Sequence, residues 1–361
     1  MDKILFIFFI AILPFTGTKP PAQDKNGSFS DHQETRTSVA LAIHGGAGTI
    51  TRENMNAKTE AAYRAKLLEA LDAGFAVLEQ GGPALEAVTA SVKILEDSPL
   101  FNAGKGSVFT HEGKNEMDAA IMDGATKNAG AVASLTRVKN PVSAAYAVMK
   151  NSPHVFLAGA GADQFAEEQG LEMVDPSYFW DQRRYEQLMK VIEAKKQTKA
   201  GTPLQQPPLM DPAFSDNKFG TVGAVAVDSK GNVAAATSTG GMTNKRFGRI
   251  GDVPVIGAGT YADNATCAVS ATGHGEYFIR GVVAHEIAAQ MKYAGRTLHE
   301  AAEDVVLNQL VALRGKGGVI AIDSQGNIAM PFNSAGMYRA YIRKKGQGKA
   351  FFFKDENEGL K

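Results

Sequence analysis

Four hydroxyl- and glycine-rich stretches stand close together between Asn217 and Glu276: Gly220-Thr221, Thr237-Ser-Thr-Gly-Gly-Met-Thr-Asn244, Gly248-Arg-Ile-Gly-Asp252 and Thr272-Gly-His-Gly-Glu276. A threonine hydroxyl is a weak nucleophile that becomes useful when a base lies beside it. Glycines flanking polar side chains let backbone N–H groups face a ligand, as an oxyanion hole or a carboxylate site requires. The same residue types also build surface β-turns, and on spacing alone Arg249 with Asp252 reads more readily as a solvated ion pair. Spacing alone leaves both readings open.

Other chemistries drop out on their own motifs. His285-Glu286 lacks a second histidine at the zincin spacing, and the 7 histidines form no ligand cluster. Gly159-Ala-Gly161 lacks the third glycine of a dinucleotide fingerprint, Gly104-Lys105-Gly106 has no P-loop glycine upstream, and there is no Gly-x-Ser-x-Gly elbow. The single cysteine, Cys267, excludes an intrachain disulfide and sits in the apolar run Thr266-Cys-Ala-Val269, where it reads as a small core residue. Lys+Arg and Asp+Glu each number 38, so no net field draws the chain to nucleic acid or an anionic membrane. A small molecule or dipeptide is the expected partner.

With 361 residues, 44% of them apolar, the chain can bury a large core around such a site. Val39 to Ile43 predicts a buried strand ending at His44-Gly-Gly-Ala-Gly48; Asn56 to Gln80 and Pro83 to Glu96 predict helices separated by Gly81-Gly82. A strand over Ala131 to Val138 follows, then helices over Pro141 to Lys150 and Tyr178 to Gln197. From 198 to 217 four prolines and no apolar period mark a mobile linker. Directly after it, Thr221 to Asp228 and Val233 to Thr239 predict a hairpin. A second hairpin of the same construction follows at Gly318 to Asp323, with Asp228/Asp323, Gly231/Gly326, Asn232/Asn327 and Gly241-Met242/Gly336-Met337 at one offset. Amphipathic helices over Tyr277 to Ala294 and Thr297 to Leu313 lie between them. Strands, then helices, then strands argue for an α+β fold with antiparallel sheets. At the start, Ile4 to Phe15 is apolar and too short to span a bilayer, and polar residues follow; residues 1–22 are expected to be a signal peptide, cut after Gly17 or Ala22, that exports the protein and leaves it free of the membrane.

Seven short words in order, from His44-Gly-Gly-Ala-Gly48 through Phe101-Asn-Ala-Gly104 and Met117-Asp-Ala-Ala120 to Gly220-Thr-Val-Gly223, Thr237 to Asn244, Gly248 to Asp252 and Thr272 to Glu276, resemble the plant-type asparaginase or isoaspartyl peptidase family of N-terminal-nucleophile hydrolases. The resemblance spans nearly the whole chain after the leader. It implies a four-layer αββα sandwich, a precursor that cuts itself before a threonine into an α subunit (38–220) and a β subunit (221–361), and assembly as a dimer of α/β heterodimers. It implies hydrolysis of β-aspartyl peptides and L-asparagine with no catalytic cofactor.

Carried over position by position, Thr221 matches the nucleophile, released from Gly220, and Thr239 the threonine that supports it. Arg249 matches the guanidinium for the substrate α-carboxylate and Asp252 the acceptor for its α-ammonium, with Ile250 and Gly251 between them. Thr272 and Gly273 match the oxyanion-hole donors, His274 and Gly275 continue that binding loop, and Asn102 resembles an asparagine near the nucleophile. Leu95, Glu96, Ser98, Phe101, Ala103 and Lys105 fall where family members wrap a structural sodium ion with main-chain carbonyls, although Lys105 replaces an expected neutral residue. His44 and His274 are left as structural or supporting residues, because the threonine's own α-amine, with a reference pKa of about 7.7–8.0, supplies the base. The nearest alternative, a glycosylasparaginase, usually carries Asp before the threonine, and here Gly220 does. An uncut aspartyl-compound binding protein is the alternative from another class.

Overall fold

Residues 38–199, 220–356 and 358–360 are described by the computed structural model. The expected leader and most of the expected linker lie outside them. Strand β1 (Ala40–Gly48) runs beyond its expected end at Ile43, straight through the glycine word, with a bulge between His44 and Gly46. Helices α1 (Ala57–Glu79) and α2 (Ala84–Glu96) follow as expected, α1 capped by the Asn56 side chain. Then come β2 (Met117–Asp123), β3 (Ala129–Leu135), α3 (Pro141–Asn151), β4 (Phe156–Ala158), α4 (Gly159–Glu168) and α5 (Gln182–Lys199). Helix α5 starts later than Tyr178 because Pro176–Phe179 forms a 3₁₀ turn capped by Asp175.

After residue 220 come β5 (Val222–Val227), β6 (Val233–Thr239), β7 (Thr260–Ala262) and β8 (Cys267–Gly273). Next are α6 (Gly275–Gly281), α7 (Val283–Ala294), α8 (Leu298–Glu303), a π-helical stretch Asp304–Gln309 and α9 (Leu310–Ala312). The single helix expected over Tyr277 to Ala294 is broken at Val282, which adopts φ 46 and ψ 44, a left-handed conformation that a β-branched residue rarely takes. The chain closes with β9 (Gly317–Asp323), β10 (Ile328–Ala329), β11 (Gly336–Ile342) and β12 (Lys349–Phe353).

The strands form two sheets, ordered β12-β11-β1-β5-β6-β2-β3-β4 and β10-β9-β8-β7. The pairings are antiparallel except β3 with β4, which is parallel because α3 carries the chain back across the sheet between them. The α+β expectation holds; the wholly antiparallel one is corrected at that edge. Strand β5 shows why its sequence is apolar at every position: Ala224 and Ala226 join the core beneath α1, α2 and α3, while Val225 and Val227 join a second core with Ala268, Ile320 and Ile322 of the smaller sheet. A third core packs Val269, Ala271, Val319 and Ala321 against Phe278, Ile287, Val305 and Leu310. Cys267 is buried in that core and free, and burial pushes its thiol up.

The two predicted hairpin turns are built alike. Asp228 Oδ1 accepts from Lys230 N and Asn232 N at 2.9 and 3.0 Å, and Asp323 Oδ1 accepts from Gln325 N and Asn327 N, both at 2.9 Å.

Candidate active site

Alternation along β5, β6 and β2 places Thr221, Thr239 and Asp118 in one row on the face that looks toward the smaller sheet, Asp118 pairing across with Thr239. The Thr221 hydroxyl donates to Thr239 Oγ1 at 3.0 Å, and Gly241 N donates to the same oxygen at 3.0 Å. Thr239 therefore stands ready to share a proton with Thr221, with a backbone amide fixing its orientation. Asn102 clamps this corner: its N–H donates to Gly220 O at 2.9 Å, its carbonyl accepts from Gly240 N at 3.0 Å, and its Nδ2 donates to Gly241 O at 2.7 Å.

Behind Thr221 runs a one-way chain of hydrogen bonds. His44 Nδ1 lies 3.0 Å from Thr221 O, and a carbonyl only accepts, so Nδ1 carries the proton. Full burial pushes the His44 imidazole down to about 3, against the pull of the Thr221 carbonyl, so the ring is neutral and Nε2 accepts from Ser270 Oγ at 2.9 Å. Ser270 in turn accepts from Thr237 Oγ1 at 2.7 Å, and Thr237 from Thr260 Oγ1 at 2.7 Å. Gly223 makes room for this crossing between sheets: a Cβ there would sit 2.0 Å from Ser270 Oγ and 2.5 Å from His44 Nε2.

The second group is Arg249, Asp252, Thr272 and Gly275. Gly275 lets the charges converge, since a Cβ on it would lie 2.8 Å from Asp252 Oδ1 and 2.9 Å from an Arg249 terminal nitrogen. Gly251 lies against the same guanidinium, Gly273 closes β8 opposite Gly317, and Ile250 sits at the rim, 36% exposed. Arg249 does not pair with Asp252. Its fork grips Glu276 at 2.9 and 3.0 Å, and although burial opposes it, that grip holds the Glu276 carboxyl below its ordinary value. Burial pushes Asp252 up to about 7 despite Arg249, and its Oδ2 has no partner. Thr272 Oγ1 is likewise buried and unpartnered. Orphaned buried polar atoms are costly and rare; here they sit where an ammonium and a carbonyl oxygen would satisfy them. His274 is half-buried beside them, its imidazole pushed down by burial.

The motifs held a further acid that sequence reasoning passed over. Asp118 is fully buried and pushed up by burial; Lys245 pulls it down, and it feels Arg249 and Asp252 as well, which ties the threonine row to the charged group. Lys245, 5% exposed, contacts the Glu116 carboxylate and carbonyl at 3.3 Å. Two signals could have found it: the position of Asp118 in the word Met117-Asp-Ala-Ala120, and a charged residue followed by four apolar ones, Ala119 to Met122, in a buried strand. Glu276 stood in its own word but was given no role. His44 was expected to be structural or to support the site from behind, and it touches the carbonyl of the residue expected to be the nucleophile.

Comparison with known proteins bears on these features together. The asparaginase family model matches residues 37–352. The chain belongs to the asparaginase family. It is 51% identical to isoaspartyl peptidases of Salmonella typhimurium and Escherichia coli, each over 84% of this chain and 95% and 92% of the relatives. It is 40% identical to a probable isoaspartyl peptidase/L-asparaginase of Arabidopsis thaliana, over 85% of this chain and 96% of that one. These relatives overturn the expectation of export, because the bacterial isoaspartyl peptidases among them are typically cytoplasmic; the reading of residues 1–22 as a signal peptide is withdrawn. The asparaginase family needs no catalytic cofactor. Among the described residues, no group of three or more His, Cys, Asp and Glu could hold a metal, and no helix is long and apolar enough to cross a membrane.

Proposed function

We propose that Thr221, freed from Gly220 by self-cleavage, is the nucleophile with which this asparaginase-family enzyme works. The chain is an amide hydrolase of isoaspartyl peptides and L-asparagine, the activities for which relatives at 39–51% identity are named. The observation that carries the nucleophile assignment is the 3.0 Å contact of the Thr221 hydroxyl with Thr239, on a residue whose preceding carbonyl is already held by the Asn102 N–H. In the precursor, Thr221 Oγ1 attacks the Gly220 carbonyl carbon, and the oxygen that becomes negative points at that N–H. The C–N bond breaks, leaving an ester that water opens, and the new α-amine then serves as the local base.

On substrate, the same hydroxyl attacks the β-carboxyl carbon. Thr272 Oγ1 and the Gly273 N–H receive the oxyanion, Asp252 receives the α-ammonium, and Arg249 turns from Glu276 to the α-carboxylate. His274 and Gly275 complete the wall of this pocket. The three cores support a reading of the architecture as four layers in the order α, β, β, α, and the family expectation of a dimer of α/β heterodimers is tested by the mass in solution.

The loop after α2 suits a sodium ion held by carbonyls. A Cβ on Gly106 would lie 2.0 Å from Phe101 O and 2.9 Å from Pro99 O, so two carbonyls converge on that glycine, while one on Gly104 would lie 2.4 Å from Glu96 O. Ala103 O accepts one backbone N–H, from Gly106, and keeps a second lone pair, whereas Leu95 O already accepts from the N–H groups of Asp97 and Ser98. Lys105 presents no obstacle, because its ammonium lies over the Tyr178 ring, 5.2 Å from the centroid.

The test is intact mass after incubation at neutral pH. Two fragments, the smaller beginning at Thr221, are expected in the wild type and none in Thr221→Ala; one uncut species in both would overturn the assignment.

A further inference from the structure

Gly220 lines a cavity of about 100 Å³ that Thr221 and Thr239 do not line. Arg183 and Arg184 line it together with Gln187, Tyr63, Tyr338 and Gly220, and no acidic residue does. Arg184 is 6% exposed yet makes no ion pair among the described residues. Among the described residues its guanidinium donates only to neutral acceptors: Gly106 O at 3.1 Å, and Leu100 O and Gln187 Oε1 at 3.4 Å. Desolvation pushes it down to about 10. Arg183 adds a second cation, donating to Pro99 O at 2.7 Å, although Asp181 lies 3.7 Å from it as a loose partner. Buried charges are ordinarily paired, and an arginine fork is shaped for a carboxylate. The established hydrolysis uses neither arginine.

We propose that this cavity is a carboxylate site, and that its ligand is the C-terminal carboxylate created on Gly220 when the chain cuts itself. This rests on the self-cleavage proposed above. Ester hydrolysis adds one water oxygen to the Gly220 carbonyl carbon as the bond to Thr221 Oγ1 breaks; Oγ1 regains a proton, and the acid formed loses its proton to solvent. One carboxylate oxygen keeps the Asn102 N–H. The other, standing where the peptide nitrogen was, turns into the cavity toward Arg184. The pairing neutralises the buried guanidinium and holds the new end of the chain away from Thr221, so that it does not return as a competing acyl group.

Carboxypeptidase trimming of the cut enzyme, followed by intact mass of the larger fragment, tests this. In the wild type Gly220 should be retained under conditions that remove it completely from a free peptide of the same C-terminal sequence. In Arg184→Gln it should be lost at least tenfold faster, and in Arg184→Lys at an intermediate rate. Arg183→Gln, at a half-exposed position, repeats the test if Arg184→Gln fails to fold. Trimming of wild-type Gly220 as fast as the free peptide, or at equal rates in all variants, would overturn the carboxylate site while leaving self-cleavage standing. A single uncut wild-type species would instead overturn both, and the mass alone tells the two failures apart.

Discussion

The hairpins β5–β6 and β9–β10 share a turn and little else. Both turns hang on an aspartate that gathers two N–H groups, and both first strands are buried in the interior of their sheets. At the offset that superposes the turns, Gly220-Thr221 in the first corresponds to Gly315-Lys316 in the second. Gly223 corresponds to Gly318, and the surroundings differ in kind. A Cβ on Gly223 would strike Ser270 Oγ and His44 Nε2, whereas one on Gly318 would strike the Phe332 side chain at 2.5 Å and Met337 Sδ at 2.7 Å. One hairpin passes through a polar seam and the other through an apolar one. A turn and an alternation make a hairpin; chemistry enters only where the facing strand supplies hydrogen-bonding partners.

The largest contrast lies at the strand starts. Thr221→Ala should abolish self-cleavage and hydrolysis together, while Lys316→Ala, at an exposed position, should leave fragment pattern and kcat within about twofold of wild type, both read by intact mass and ammonia release. Cleavage lost in Lys316→Ala would show that the second hairpin is not inert. Next come the paired glycines. Gly223→Ala should cut kcat by about 100-fold or more by breaking the His44 contact behind the nucleophile, whereas Gly318→Ala should act on stability, by about 2–3 kcal/mol of overpacking. Equal effects on kcat and on unfolding for both would erase the distinction between the seams.

The charged group gives a smaller, pH-dependent effect. Asp252, raised to about 7 by burial, is neutral below that pH and cannot receive an ammonium. Hence kcat/KM should fall as pH drops through about 7, with KM rising. Because the folded state holds this proton more tightly than the unfolded chain, the stability it contributes is full below the ordinary carboxyl value of about 4 and is lost as pH rises to about 7 in the substrate-free protein. Asp252→Asn should lower kcat/KM by roughly 30-fold or more, as expected for a buried charge stripped of its partner, and remove that limb of the profile. A limb that survives the substitution would assign it to another group. Smallest of all, Asp228→Ala and Asp323→Ala should each cost about 1–2 kcal/mol, similar in thermal unfolding because the turns are alike. A clear inequality would mean that the shared geometry conceals different loads.

Much of this was legible in the sequence. The helices after β1, both hairpins and the short glycine-rich words announce themselves through period and turn chemistry, and the words resembled a family that comparison then bore out. The pairing of β4 and the break at Val282 were not, because a three-residue edge strand has no period and a left-handed valine carries no local signal. In the site, the two words expected to bind the substrate's charged groups came together, with Gly275 against Arg249 and Asp252. What escaped notice were partnerships between words, such as Arg249 with Glu276 and His44 with Thr221, since spacing within a word does not encode which distant segment the fold will lay beside it.

The hydrogen-bond chain from Thr260 to the Thr221 carbonyl also has a consequence over generations of sequence change. Its donors all point toward the carbonyl, which can do nothing but accept, and the side acceptors are Gly259 O for Thr237 at 3.3 Å and Val253 O for Thr260 at 3.1 Å. Losing Ser270 would leave His44 Nε2 without its donor and turn Thr237 to Gly259 O, and neither could repair the gap alone. Positions 44, 237, 260 and 270 should therefore drift as a block or stand still together across descendants of this gene, a linkage inherited from the direction of four protons.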